Sequence, residues 1–241
     1  MSQVPTLASS YLLLAGSISI ATDNVLIDRA HEFVDALVAE VLQAGGGCVI
    51  YVADEPVNTD QKPLLFDWTV ARAVNRLMPD ESPDVRLKIV ASPERLQTKM
   101  NAEQRRLLNS MIARGVAEFF SLEEEVLTGG NVGDEQLEHA TAMVALGGGK
   151  GVADRARKMA KRFLPVLPLD LQLGANSEDG AGALGVLKAL QANPLTYMPF
   201  SGNQVLKVLP ALSLQEPVLP MSTISRRIVG IFYEEEQARI A

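Results

Sequence analysis

"VALGGGKGVADRARKMAKRF", residues 144–163, joins an apolar run to a glycine cluster and then to a basic segment with helical spacing. Short apolar runs bounded by glycine are typical of buried strands, and helices often begin directly after such turns. The stretch therefore predicts a strand, a tight turn and a helix. Because ligands of α/β sheets bind beyond the carboxyl ends of the strands, this turn is a candidate ligand site.

The same alternation runs through most of the chain. Apolar runs occupy 11–18, 48–54, 85–92, 117–122 and 164–170, and helix-like segments occupy 24–47, 67–78, 101–115 and 180–192. Such runs are typical of strands buried on both faces, so we predict a doubly wound α/β fold with a mainly parallel, Rossmann-like sheet and helices on both faces. Residues 1–192 are predicted to form one domain with this fold.

Residues 193–241 interrupt this rhythm. They contain five prolines, and the segment at 180–192 is the last with a clear helix pattern. We expect them to form an extension that packs on the same domain. The acidic triplet at 234–236 is expected to be a solvated surface.

The composition limits the possible functions. The chain has 241 residues, 47% of them apolar, and a formal net charge of −7. This charge disfavours general nucleic-acid binding, because neutralising phosphates needs a basic face. The single cysteine, Cys48, excludes an intrachain disulfide and indicates a reducing compartment. With no secretory signal and no apolar run of membrane-spanning length, we predict a cytoplasmic protein without membrane contact.

Two turns are candidate phosphate sites, and the first is "LAGSIS", residues 14–19. Gly16 permits close approach of the backbone to a ligand, and Ser17 and Ser19 offer hydroxyls and amides to an anion. A plain connection between a strand and a helix explains the same residues, so this turn alone does not distinguish the two interpretations.

The second turn is "LGGGKG", residues 146–151, in which four of six residues are glycine. A cation at the start of a helix opposes the helix dipole, and a bound phosphate would remove that conflict at Lys150. A tight turn with a solvated lysine is the alternative. Neither standard phosphate motif fits: Val144 stands where a P-loop needs its first glycine, and Gly151 follows the lysine in place of Ser or Thr.

The pair "LAGSIS" and "ALGGGKG" resembles the SLOG superfamily over roughly residues 10–192. This superfamily groups the Lonely Guy cytokinin-activating enzymes, the DNA-processing protein DprA/Smf and nucleotide-sensor domains. The chain is most similar to the TIR- and sirtuin-associated sensors of bacterial antiphage systems such as Thoeris. The resemblance implies that the second turn binds a nucleotide. The positions that it assigns there are Gly147, Gly148, Gly149, Lys150 and Gly151.

The chain departs from the Lonely Guy pattern PGGxGTxxE at the residue that matters for catalysis. Arg155 stands where those enzymes have the glutamate that handles the proton at the glycosidic centre. The substitution removes a carboxylate and adds a cation suited to phosphate. Asp154 is adjacent but would point about 100° away on a helix. The resemblance therefore implies ligand binding rather than hydrolysis.

Other residues have two interpretations each. Glu178, in "GANSEDGAGA", is a candidate acceptor for a ribose hydroxyl or a helix cap. Trp68 fits the core better than a stacking platform. Asp54 and Glu55 follow a strand, so they are either site residues or exposed surface residues. We find no metal-ligand pattern and no Ser-His-Asp arrangement, so neither metal nor cofactor is predicted.

The leading hypothesis is a sensor that binds a nucleotide signal of the cyclic ADP-ribose type and regulates an effector in antiphage defence. The resemblance implies a homo-oligomer and an effector or TIR-domain protein as partner. The alternative is a phosphoribohydrolase or N-glycosidase of the Lonely Guy type, with Asp154, Glu178 or Asp54 as its carboxylate. A DprA-like single-strand binder is a third reading, disfavoured by the acidic balance and scarce aromatic residues.

Overall fold

The computed structural model describes residues 7–52, 54–78, 84–122, 132–169, 173, 182–212 and 219–241. Its strands are β1 (Tyr11–Ser17), β2 (Gly47–Tyr51), β3 (Leu87–Ala91), β4 (Ala117–Ser121), β5 (Ala142–Gly147) and β6 (Val166–Leu169). They form one sheet in the order β4-β3-β2-β1-β5-β6, and every pairing between them is parallel.

Helices connect and cover these strands. They are α1 (Asn24–Gln43), α2 (Asp67–Leu77), α3 (Pro93–Thr98), α4 (Ala102–Ala113), α5 (Val132–His139), α6 (Lys150–Lys161), α7 (Gly182–Ala192), α8 (Pro194–Tyr197), α9 (Gly202–Val208) and α10 (Met221–Ile240), with a 3-10 helix at Leu209–Leu212. The predicted α/β, Rossmann-like fold with helices on both faces is confirmed.

The central strands are apolar because both of their faces are covered. Residues 12–15 of β1 and all six residues of β5 are buried, so neither strand shows the alternation of a half-exposed sheet. Cys48 on β2 is a fully buried small residue. Helix α1 buries one stripe at helical spacing, from Ile27 to Val41, against this sheet.

The segment after residue 192 contains a structure that its sequence did not predict. Helix α10 is 20 residues long and packs along α1, with Ile228 and Phe232 buried. Pro220 directly precedes its first residue, a position where proline is well tolerated. The prediction of a solvated triplet at 234–236 is wrong for Glu235, which is only 2% exposed.

The order of the strands defines a switch point. From β1 the chain builds outward through β2, β3 and β4, and it then returns to place β5 on the other side of β1. The connections leaving β1 and β5 therefore diverge at the carboxyl edge of the sheet. In open α/β sheets, this divergence produces the crevice in which ligands bind. The two glycine-containing turns lie at these two strand ends.

Candidate functional site

The two glycine turns are in direct contact. In the parallel register of β1 and β5, Ser17 pairs with Gly147. The amide of Gly148 donates a hydrogen bond of 2.8 Å to the carbonyl oxygen of Ser17. The turns are far apart in sequence and meet because parallel neighbouring strands end at the same edge. Backbone groups from both turns therefore lie together at one edge of the sheet.

Glycine is required in each turn for a different reason. A Cβ on Gly16 would lie 1.8 Å from the carbonyl oxygen of Leu146, so the backbones of β1 and β5 approach too closely for any side chain. Gly148 has a φ of +68°, in the left-handed region that favours glycine. A Cβ there would also lie 2.5 Å from Cγ2 of Val152. The turns are thus shaped for close backbone packing.

The second turn opens directly into helix α6. Gly149 is its N-cap residue and offers no side chain to cap the helix. Within the described ranges, the amides of Gly149, Lys150 and Gly151 have no hydrogen-bond acceptor. Unsatisfied amides and the positive end of the helix dipole together favour an anion at this position.

Lys150 adds a full charge at the same place. Its side chain is exposed, and no acidic group in the described part of the chain forms an ion pair with it. An isolated cation at the start of a helix is electrostatically unfavourable until an anion is bound. The structure thus leaves Lys150 available to a ligand, although its binding role stays a prediction.

The serines of the first turn are not equivalent. The Ser19 amide donates to the carbonyl of Leu173 at 2.8 Å, and the Ser19 hydroxyl accepts from the amide of Ala21 at 3.3 Å. Because of these bonds, Ser19 has fewer free hydrogen-bonding groups for an anion than Ser17 has. Among the described residues, the Ser17 hydroxyl has no hydrogen-bond partner. Ser17 is therefore the better placed of the two predicted ligands.

Arg155 folds back over the first turn of α6. Its Nε donates to the carbonyl of Gly151 at 3.3 Å, and one terminal nitrogen donates to Oε1 of Gln136 at 3.0 Å. Three cations beyond it are occupied elsewhere, since Arg157 pairs with Asp154, and Lys158 and Arg162 pair with Asp134 and Glu138 on α5. In the described part of α6, Lys150 and Arg155 are the cations closest to the glycine turns.

Sequence analysis missed one carboxylate at this edge, Asp67. It is the first residue of α2 and is largely buried, and its Oδ1 accepts the amide of Tyr51, the last residue of β2, at 2.9 Å. Burial raises the pKa of Asp67 from an ordinary 3.8 to about 6, against the lowering effects of the Tyr51 amide and the Arg155 charge. Burial likewise lowers the pKa of Arg155, which Asp67 opposes.

The carboxylates that the sequence did suggest lie elsewhere or are engaged. Asp154 pairs with Arg157 one turn along α6, and Asp54 lies 3.2 Å from the Lys99 ammonium. Glu55 binds Arg72 and the buried amide of Gln104. Glu178 lies outside the described residues. Trp68 is 2% exposed and belongs to the core.

The sequence profile for "ATP nucleosidase Cap17-like, N-terminal" matches residues 7–227 of the chain. The chain belongs to this family. The match continues past residue 192 into α10, so it does not separate the predicted domain from its extension.

Two curated relatives have the same name, ATP nucleosidase Cap17, one from Escherichia coli strain KTE188 and one from Escherichia coli. Each is 44% identical over 231 residues, which are 96% of this chain and 46% of the relative. The chain therefore spans about half the length of these relatives. No solved structure matches it significantly. None of the described helices has the length and apolar character needed to cross a membrane.

Proposed function

We propose that this chain is a nucleotide-binding sensor domain that recognises the phosphates of an adenine nucleotide at the two glycine turns. The observation that carries the proposal is the contact between Ser17 and Gly148 at the switch point, beside the unsatisfied amides at the start of α6. The family name, with its reference to an ATP nucleosidase, supports an adenine nucleotide as the ligand class.

Each candidate residue has a defined task in this proposal. The amides of Gly149, Lys150 and Gly151 donate to phosphate oxygens, and the Ser17 hydroxyl donates from the opposite turn. The Lys150 ammonium supplies the counter-charge. Arg155 holds the first turn of α6 through Gly151 and adds a second cation behind it. Gly16 and Gly147 act by letting β1 and β5 approach each other closely.

The finer parts of the function follow from the SLOG resemblance. A signal of the cyclic ADP-ribose type carries the pyrophosphate that this site is suited to bind. Binding then alters self-association and regulates an effector in antiphage defence, with a TIR-domain protein as the source of the signal. Because the chain spans 46% of the relatives' length, we infer that the rest of such a longer polypeptide is a candidate effector.

A second candidate function is nucleotide N-glycosidase activity within this chain. Asp67 favours it, because a buried carboxyl group with a pKa of about 6 is suited to general acid or base catalysis near neutral pH. It would replace the glutamate that the Lonely Guy pattern has at the position of Arg155. The test is incubation of the purified chain with ATP and chromatography for released adenine. Release that is lost in Asp67→Asn supports this function, and no release favours the sensor.

Calorimetry tests the sensor proposal with ATP, ADP-ribose, cyclic ADP-ribose isomers and tripolyphosphate as ligands. We expect Lys150→Ala to weaken ATP and tripolyphosphate binding by roughly 1.5–3 kcal/mol, the range of a charge-assisted hydrogen bond. Lys161→Ala is the matched control, because Lys161 is exposed at the other end of α6. Equal weakening by both variants, or by neither, contradicts the assigned role of Lys150.

A further inference from the structure

Three segments of the chain meet at this edge of the sheet: the two glycine turns and the segment that leads to α2. Leu65 forms an isolated antiparallel bridge with Ser17, and the amide of Ile18 donates to the carbonyl of Leu64 at 2.9 Å. Asp67 follows Leu65 by two residues. The end of β1 is therefore flanked by the second glycine turn on one side and by the segment leading to Asp67 on the other.

Asp67 is held at the carboxyl end of β2, next to β1 in the sheet. The hydrogen bond from the Tyr51 amide fixes Oδ1 at 2.9 Å and sets the orientation of the carboxylate. A carboxylate has about four acceptor positions on its two oxygens, so this amide leaves capacity for further donors. The Arg155 guanidinium donates to Gln136 and Gly151 and does not fill that capacity.

Arg155 provides the electrostatic link between Asp67 and the phosphate turns. It acts on the Asp67 charge, and it hydrogen-bonds the carbonyl of Gly151 in the first turn of α6. A carboxylate close to bound phosphates would ordinarily repel them. The Arg155 cation acts on both the Asp67 carboxylate and the first turn of α6, so it reduces this repulsion. The site is therefore able to hold a nucleotide with its phosphates at the start of α6 and another polar part near Asp67.

We propose that Asp67 is the nucleoside-recognition residue of this site and accepts hydrogen bonds from the ribose hydroxyls of the bound adenine nucleotide. A carboxylate at the end of the strand beside a glycine turn has the right chemistry, since two ribose hydroxyls donate to one carboxylate. This inference rests on the proposed nucleotide-binding function and adds its specificity for a ribose. Asp67 also ionises below neutral pH, so it is an acceptor under ordinary conditions.

The test compares ATP, 2′,3′-dideoxyATP and tripolyphosphate on the wild-type chain and on Asp67→Asn. Asparagine keeps an oxygen that accepts the Tyr51 amide, so a purely structural role of Asp67 is largely preserved. Asp54→Asn is the matched control, because Asp54 also follows β2 but is exposed and pairs with Lys99. Thermal unfolding of every variant checks that the chain remains folded.

We expect wild-type protein to bind ATP at least about tenfold more tightly than 2′,3′-dideoxyATP. Asp67→Asn should bind the two nucleotides alike while its affinity for tripolyphosphate stays unchanged or improves. Asp54→Asn should behave as wild type. If Asp67→Asn retains the preference for ATP, or loses ATP and tripolyphosphate affinity equally, the inference is wrong.

Failure of the broader proposal gives a different result. If wild-type protein binds neither ATP nor tripolyphosphate, both the nucleotide-binding function and the role of Asp67 are wrong. If it binds both ligands and does not distinguish ATP from 2′,3′-dideoxyATP, the phosphate site stands and only the role of Asp67 is overturned.

Discussion

The chain places a carboxylate at each end of its sheet, one fully buried and one largely buried, and the two are held very differently. At the amino edge, Glu235 accepts from the amide and hydroxyl of Ser201, both at 2.6 Å, and from the amide of Phe200 at 3.2 Å. At the carboxyl edge, Asp67 accepts a 2.9 Å hydrogen bond from the amide of Tyr51, and burial raises its pKa. In the described structure Glu235 accepts hydrogen bonds from three donors, whereas Asp67 accepts one from another residue, the Tyr51 amide.

This difference separates a structural group from a candidate functional one. The cavity beside Glu235 has a volume of only about 30 Å³, too small for a nucleotide. Its carboxylate joins α10 to the turn before α9 and has its partners within the fold. Asp67 lies at the carboxyl end of β2, next to β1, whose end contacts the second glycine turn. A carboxyl group whose pKa is shifted by burial and by a nearby charge is typical of functional sites.

Removal of the satisfied carboxylate should have the largest effect on stability. Glu235→Ala leaves the buried amide and hydroxyl of Ser201 and the partly buried amide of Phe200 without their acceptor, so we expect the free energy of unfolding to fall by roughly 3–5 kcal/mol. Glu234→Ala changes the exposed neighbouring residue and should have almost no effect. Denaturant titration measures both. Similar stabilities of the two variants would show that Glu235 is not a structural anchor.

Inserting a side chain between the closely packed strands β1 and β5 should have the next largest effect. Gly16→Ala places a Cβ 1.8 Å from the Leu146 carbonyl, which forces the strands apart and should cost roughly 2–3 kcal/mol while weakening nucleotide binding. Gly230→Ala is the control, because a Cβ there meets nothing within 4 Å in α10. Helix propensity predicts about 0.5–1 kcal/mol of stabilisation for it. A harmless Gly16→Ala would contradict the close packing of the turns.

The Asp67 carboxylate should affect stability mainly through pH. Because the pKa of Asp67 is about 6 in the folded chain and 3.8 ordinarily, the folded state retains a proton that the unfolded state has lost between these values. The stability that this bound proton contributes is fully present below about pH 4 and is lost as the pH rises through about 6. Relative to wild type, Asp67→Asn should therefore gain on the order of 2–3 kcal/mol between pH 4 and 7.

Denaturant titrations of both proteins across this pH range measure that difference directly. The difference between the two curves isolates Asp67 from other carboxylates that titrate in the same range. Parallel curves would mean that the pKa of Asp67 is not raised in the folded protein. Curves that diverge in the opposite direction would mean that it is lowered.

The smallest expected effect on stability is that of Lys150. Its exposed side chain has no acidic partner in the described structure, so Lys150→Ala should change the free energy of unfolding by less than about 0.5 kcal/mol. Any change should be favourable, since a cation is removed from the start of a helix. A large loss of stability would show that Lys150 supports the fold rather than a ligand.

The sequence was sufficient to predict the fold and the position of the glycine turns. Apolar runs such as 142–147 have no alternation, and that pattern indicates strands covered on both faces. From a parallel sheet it follows that turns after neighbouring strands lie at one edge. What remained undetermined was whether β1 and β5 are neighbours, because strand order depends on packing between distant segments.

Asp67 could not be found from any local pattern. The long connection after β2 carries it back to the sheet, and the bridge between Ser17 and Leu65 fixes its position. Neither contact has a short-range signal. Helix α10 did have one, in the spacing of Ile224, Ile228 and Phe232, but the prolines before it obscured the pattern. Long-range contacts thus placed the residues that sequence analysis missed.

The most direct test of the nucleotide-site account is a crystal structure of the chain grown with saturating ATP. The account predicts phosphate density on the amides of Gly149, Lys150 and Gly151, with ribose hydroxyls within hydrogen-bond distance of Asp67. Density for ATP at any other surface, or no density at these turns while the nucleotide saturates the protein in solution, would contradict it.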